Sequence, residues 1–164
     1  ILSFVFVLIF ATVANAAPRI GLIGEQENGL GILVHDDAYS IIVTFGQRTD
    51  DYATNGTNKS ASLINAGLNY KVPINSDTKL TAGLSYTLYS GNVIYAGNVT
   101  NTEHDGSNKL SVNAGFEHML ASNIVLTTQA SAYTMSEIKT KSVTTTTKKS
   151  SIFTDGRVGV GFLF

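Results

Sequence analysis

Few residues in this 164-residue chain are able to do chemistry. Charged side chains make up 14% of it, well under the roughly 25% usual for soluble domains. The net charge is −1, which gives no general attraction to nucleic acid, so no nucleic-acid partner is expected. There is no Cys, hence no disulfide framework and no thiolate metal site. Four charged residues, Lys71, Glu117, Asp155 and Arg157, fall on the polar side of segments that alternate apolar and polar residues. Arg19 and Glu25 are further candidates for that side. In an enclosed interior such charges must pair, because a bare buried charge is costly. The pairs would either hold the interior closed or rearrange to pass small ions.

The other reactive types are scattered. His35 falls in a short turn, His104 in a long polar stretch and His118 on an apolar face, so a shared metal site is not expected. The run "HDD" at 35–37 fits polar turn chemistry better than a cation contact. His118 sits between Glu117 and Met119 with no Ser of matching orientation nearby. A nucleophile–base pair is therefore missing, no enzyme is expected, and no catalytic, cofactor or metal residue is assigned. Lys139, Lys141, Lys148 and Lys149 share a stretch, 139–151, that holds no acid. Such a cluster attracts polyanions or simply keeps a loop solvated. The glycines lie within alternating segments, so no phosphate-cradling motif is credible.

The elements that must position these residues are strands. Period-2 alternation dominates, and no stretch shows capped helical periodicity. In "SLINAGLNYKV", Ile64, Ala66, Leu68, Tyr70 and Val72 oppose Asn65, Gly67, Asn69 and Lys71. "KLTAGLSYTLY" sets Leu80, Ala82, Leu84, Tyr86 and Leu88 against Thr81, Gly83, Ser85 and Thr87. The last segment sets Val158, Val160, Phe162 and Phe164 against Arg157, Gly159, Gly161 and Leu163. About eight strands result, at 18–26, 29–36, 38–48, 60–72, 79–90, 108–120, 124–138 and 152–164. The connectors at 36–38, 73–78 and 121–123 are short. Those at 49–59, 91–107 and 139–151 are long and polar, and only "QEN" on that side is brief.

The second face is mostly Gly, Ser, Thr and Asn rather than Lys and Glu. That is unlike a surface built for water. It suits the filled interior of a small closed sheet whose apolar face meets lipid. Short turns at one end and long loops at the other match a transmembrane barrel. Tyr70, His118, Phe162 and Phe164 are expected near one rim, where aromatic rings are favoured.

Two terminal features add to this. "ILSFVFVLIFATV" is uncharged but shorter than the roughly 20 residues of a spanning helix. "ANA" follows it. Residues 1–16 are expected to be a secretory signal peptide, truncated at its start, with cleavage after Ala16 and a barrel domain over 17–164. A buried strand is the alternative. At the other end Arg157, Gly159, Phe162 and Phe164 form polar–x–Gly–x–x–aromatic–x–aromatic. This resembles the C-terminal assembly signal of outer-membrane barrel proteins. With the alternation, the chain resembles the small eight-stranded outer-membrane proteins of the OmpA-transmembrane-domain, OmpX and Ail type. The resemblance implies an all-β, antiparallel up-and-down transmembrane β-barrel in the outer membrane of a Gram-negative bacterium. It implies no cofactor, recognition by the barrel-assembly machinery, and contact with outer-membrane lipid and lipopolysaccharide. The loops would serve interaction or adhesion, including host surface molecules. A narrow porin-like channel and a lipid-modifying enzyme are the alternatives.

Overall fold

The computed structural model describes residues 17–26, 28–50, 59–91, 108–140, 145–152 and 156–164. Among the described residues nine strands form one antiparallel sheet. They are β1 (Arg19–Glu25), β2 (Gly29–His35), β3 (Tyr39–Asp50), β4 (Lys59–Pro73), β5 (Thr78–Gly91), β6 (Asn108–Ala121), β7 (Ile124–Thr140), β8 (Thr145–Ile152) and β9 (Gly156–Leu163). Neighbours in sequence pair from β1 through β7, and β1 pairs with β9. The far half of β7 pairs with β8, Tyr133 opposite Ile152, and its near half with β9, Ile124 opposite Phe162. β8 and β9 thus share one position in the ring, and the sheet closes as an eight-strand barrel.

The eighth position departs from the sequence expectation. The sequence predicts a loop over 139–151, yet β7 runs to Thr140 and β8 begins at Thr145. Lys139, Lys148 and Lys149 are therefore strand residues, with Lys139 opposite Thr146 and Lys148 opposite Glu137. Lys141 lies outside the described residues. The cause is the threonine run: β-branched residues favour extended backbone whether or not either face is apolar.

Every strand from β1 to β7, and β9, turns its apolar stripe outward. Leu22, Leu30, Phe45, Leu84, Phe116 and Phe162 are exposed on the outside of the barrel. The inward positions between them are buried and mostly small or polar, among them Thr44, Asn65, Ser85, Ser111, Asn113 and Ser131. Closure leaves no sheet edge through this zone, so the backbone polar groups are paired within the ring. β1 and β2 are the shortest pair, and Gly29, opposite Glu25 at the start of β2, has φ +85°. A side chain there would be strained, and a Cβ would lie 2.2 Å from the Phe45 carbonyl oxygen. In the β6–β7 ladder the register shifts between Val112 and Asn113, leaving Ala132 without an opposite residue.

Candidate functional site

The chemistry of this chain is concentrated on the inner wall, towards the short-turn end. β4 and β6 each place a charge there, since Lys71 follows Asn69 and Glu117 follows Gly115 in the inward register. Neither strand touches the other, because β5 lies between them. The side chains meet across the lumen, Lys71 Nζ at 2.8 Å from Glu117 Oε1. The same oxygen lies 2.8 Å from His35 Nε2, at the end of β2. Lys71 Nζ also donates to the carbonyl oxygen of Asp36 at 2.8 Å. One carboxylate oxygen thus ties β2, β4 and β6 together, while Glu117 Oε2 is buried without a hydrogen-bond partner. Such a cluster resists separation, because removing Lys71 or Glu117 leaves its partner's charge uncompensated in a site of low polarity.

A second pair sits at the rim. Lys79 Nζ donates to Asp37 Oδ1 at 2.6 Å and to the Asp37 carbonyl oxygen at 3.2 Å. Asp37 belongs to the β2–β3 turn, outside the strands. The hydrogen bond from Lys79 and its positive charge hold the Asp37 carboxyl below its ordinary range. Asp36 makes the turn itself: its Oδ1 accepts from the Ala38 N–H at 2.9 Å. Arg19 donates to the Ser122 carbonyl oxygen at the same end.

Beside the charged cluster the lumen is filled with hydrocarbon. Ile23, Leu33, Ile42, Val125 and Leu163 pack as one cluster at 0–3% exposure, with Met119 against it. Alternation in the sequence puts Leu163 on the inward face but leaves closure to charges alone. The structure divides it between an ion cluster and an apolar plug. His35 is a second departure. The sequence predicts a turn there, but the residue continues the inward set Gly31 and Leu33 and reaches Glu117. His118 is half-buried and its Nδ1 is 2.9 Å from Thr78 Oγ1. His104 and Asp155 lie outside the described residues. The described residues bring together no three His, Asp or Glu side chains able to hold a metal.

Towards the other end the inner wall is a polar network. Thr87 Oγ1 donates to Asn65 Oδ1 at 3.0 Å, Ser131 Oγ to Asn113 Oδ1 at 3.0 Å, and Asn113 Nδ2 to Ser85 Oγ at 2.9 Å. Arg157 is buried in this layer, and its Nη2 is 3.4 Å from Ser85 Oγ. Glu25 is buried as well and accepts from Asn28 Nδ2 at 3.0 Å. In β9 Arg157 and Gly159 face inward and Phe162 is exposed on the outside at 50%, as is Phe164, just past the strand, at 80%.

A closed antiparallel barrel with an apolar exterior has one solvent that suits it, a lipid bilayer. Neisserial surface protein A (NspA) has this architecture at a TM-score of 0.50, with 19% identity over 90% of this chain and 94% of that one. The fold is that of the small outer-membrane barrels. The apolar belt and this fold together locate the chain in a bacterial outer membrane. A major outer membrane protein from Thermus thermophilus is also similar, with 16% identity over 91% of this chain and 100% of that one and a TM-score of 0.45. So is Ail, the attachment invasion locus protein of Yersinia pestis, with 15% identity over 90% and 95% and a TM-score of 0.36. No protein-family model matches the chain, and no curated protein matches it in sequence.

Proposed function

We propose that the chain is a non-conducting outer-membrane barrel that holds its longer connectors at the cell surface for interaction. The observation that carries this reading is the plug. Ile23, Leu33, Ile42, Val125 and Leu163 fill the lumen at one end and are all but inaccessible. A solute path would have to displace close-packed hydrocarbon, and part the Lys71–Glu117–His35 cluster beside it. That weighs against the channel reading. The connectors at 51–58, 92–107 and 141–144 join strands at the end away from the plug. Lys139, Lys148 and Lys149 add positive charge along the β7–β8 hairpin, and polyanions such as lipopolysaccharide phosphates or host glycans are the partners that suit it.

Two measurements test the reading. In planar bilayers the refolded barrel should give no steady ion conductance above that of the protein-free membrane, and discrete steady openings would refute it. Binding to cells or to isolated sulfated glycans should fall when Lys139, Lys141, Lys148 and Lys149 are together replaced by Ser. Unchanged binding would remove that hairpin from the contact surface.

A further inference from the structure

We infer that the polar layer of the lumen holds a small inorganic anion, bound by Arg157 with Ser85 and Ser111. Arg157 is 6% exposed and, unlike a buried Lys or His, cannot shed its charge by losing a proton. A buried guanidinium therefore needs a negative partner. Among the described residues no carboxylate lies within ion-pair distance of it. Glu117 is held by His35 and Lys71 and Asp37 by Lys79, while Glu25 accepts from the neutral amide of Asn28 and makes no ion pair with Arg157. Asp155 lies outside the described residues.

The hydroxyls nearby point to the same ligand. Ser85 Oγ accepts from Asn113 Nδ2 at 2.9 Å and lies 3.4 Å from Arg157 Nη2, so its own proton remains available to donate. Ser111 is directly opposite Ser85 in the β5–β6 ladder. Its hydroxyl is buried without a hydrogen-bond partner. Gly67, on the other side of Ser85, contributes no side chain, and even a Cβ there would approach Ser85 Cβ only to 3.5 Å. The guanidinium lies against Ser85, and Ser111 is the ladder partner of Ser85, in a layer whose Asn113 side chain is already engaged with Ser85 and Ser131. That donor set fits a halide or a similarly small anion. The assignment is independent of any surface role of the loops.

Bromide is the probe. Crystals of the detergent-refolded barrel grown in sodium bromide should show one anomalous peak within hydrogen-bonding reach of Arg157 and Ser111. The peak should vanish in Arg157→Met, weaken in Ser111→Ala, and persist in Asp155→Asn. Its absence from the wild type, or its persistence in Arg157→Met, would overturn the assignment. A solution measurement covers the case in which a variant does not crystallise. At constant ionic strength, replacing gluconate by bromide should raise the unfolding midpoint of the wild type saturably, and the shift should be lost in Arg157→Met and in the conservatively altered Ser111→Ala. Equal midpoints in the two salts for the wild type would equally overturn it.

Discussion

Glu117 Oε1 receives Lys71 Nζ and His35 Nε2 at the same distance, 2.8 Å, from strands that are not its neighbours in the sheet. This single oxygen links three separate strands across the lumen. Loss of the carboxylate leaves the Lys71 ammonium buried with only the Asp36 carbonyl. Glu117→Leu should therefore destabilise the barrel by about 3–5 kcal/mol. The double variant Lys71→Met/Glu117→Leu should recover much of that loss, because no charge is then stranded. Urea unfolding in lipid vesicles, followed by heat-modifiable gel mobility, measures both. Equal losses in the single and double variants would show that the ion pair is not the cause.

The Asp37–Lys79 pair predicts a pH dependence. Lys79 lowers the Asp37 carboxyl from its ordinary range. A carboxyl lowered on folding contributes stability that is fully present above its unfolded value and is lost as pH falls through the folded one. Asp37 is largely in water, so screening makes the contribution small. Wild type and Asp37→Asn should differ in unfolding midpoint at neutral pH and converge in acid, below the ordinary carboxylate range. A difference that stays constant down to that range would assign it to the turn rather than to the charge.

Much of the barrel is readable from alternation alone. In β4 the inward Asn65, Asn69 and Lys71 and the outward Ile64, Tyr70 and Val72 separate cleanly, and so do their structural environments. Two things are not readable. Along Thr145–Thr147 both faces are polar, so the strand carries β propensity without a hydrophobic period. His35 ends a strand whose inward positions begin Gly29 and Gly31, and glycine gives no side-chain signal of which face is which. Counting by two from Leu33 turns it inward. Its meeting with Glu117 still depends on ring closure and strand stagger, which no local pattern encodes.

Stagger also decides which glycines are replaceable. A Cβ on Gly115 would sit 1.8 Å from the Thr128 carbonyl oxygen, a backbone atom with no freedom to yield. On Gly67 the nearest atom is 3.5 Å away, an ordinary contact. Gly115→Ala should sharply reduce the folded fraction on detergent gels, whereas Gly67→Ala should fold as the wild type does. Equal yields would mean that the β6–β7 ladder relaxes enough to accept a methyl group.

Two leucines of the same chemistry face opposite media. Leu84, midway along β5, is 55% exposed on the outside, and Leu33 is fully buried in the plug. Replacing Leu84 by Arg puts a charge into hydrocarbon and should cost about 2–4 kcal/mol, while Leu84→Ala should cost far less, because lipid chains fill the space that the side chain leaves. At Leu33 the order of mechanisms is different. Leu33→Ala opens a cavity among Ile23, Ile42 and Val125 that no lipid reaches, and should cost about 2–5 kcal/mol. Unfolding in vesicles compares the two alanine variants directly. If Leu84→Ala proved as damaging as Leu33→Ala, the outside of the barrel would have to be packed against protein rather than bathed in lipid.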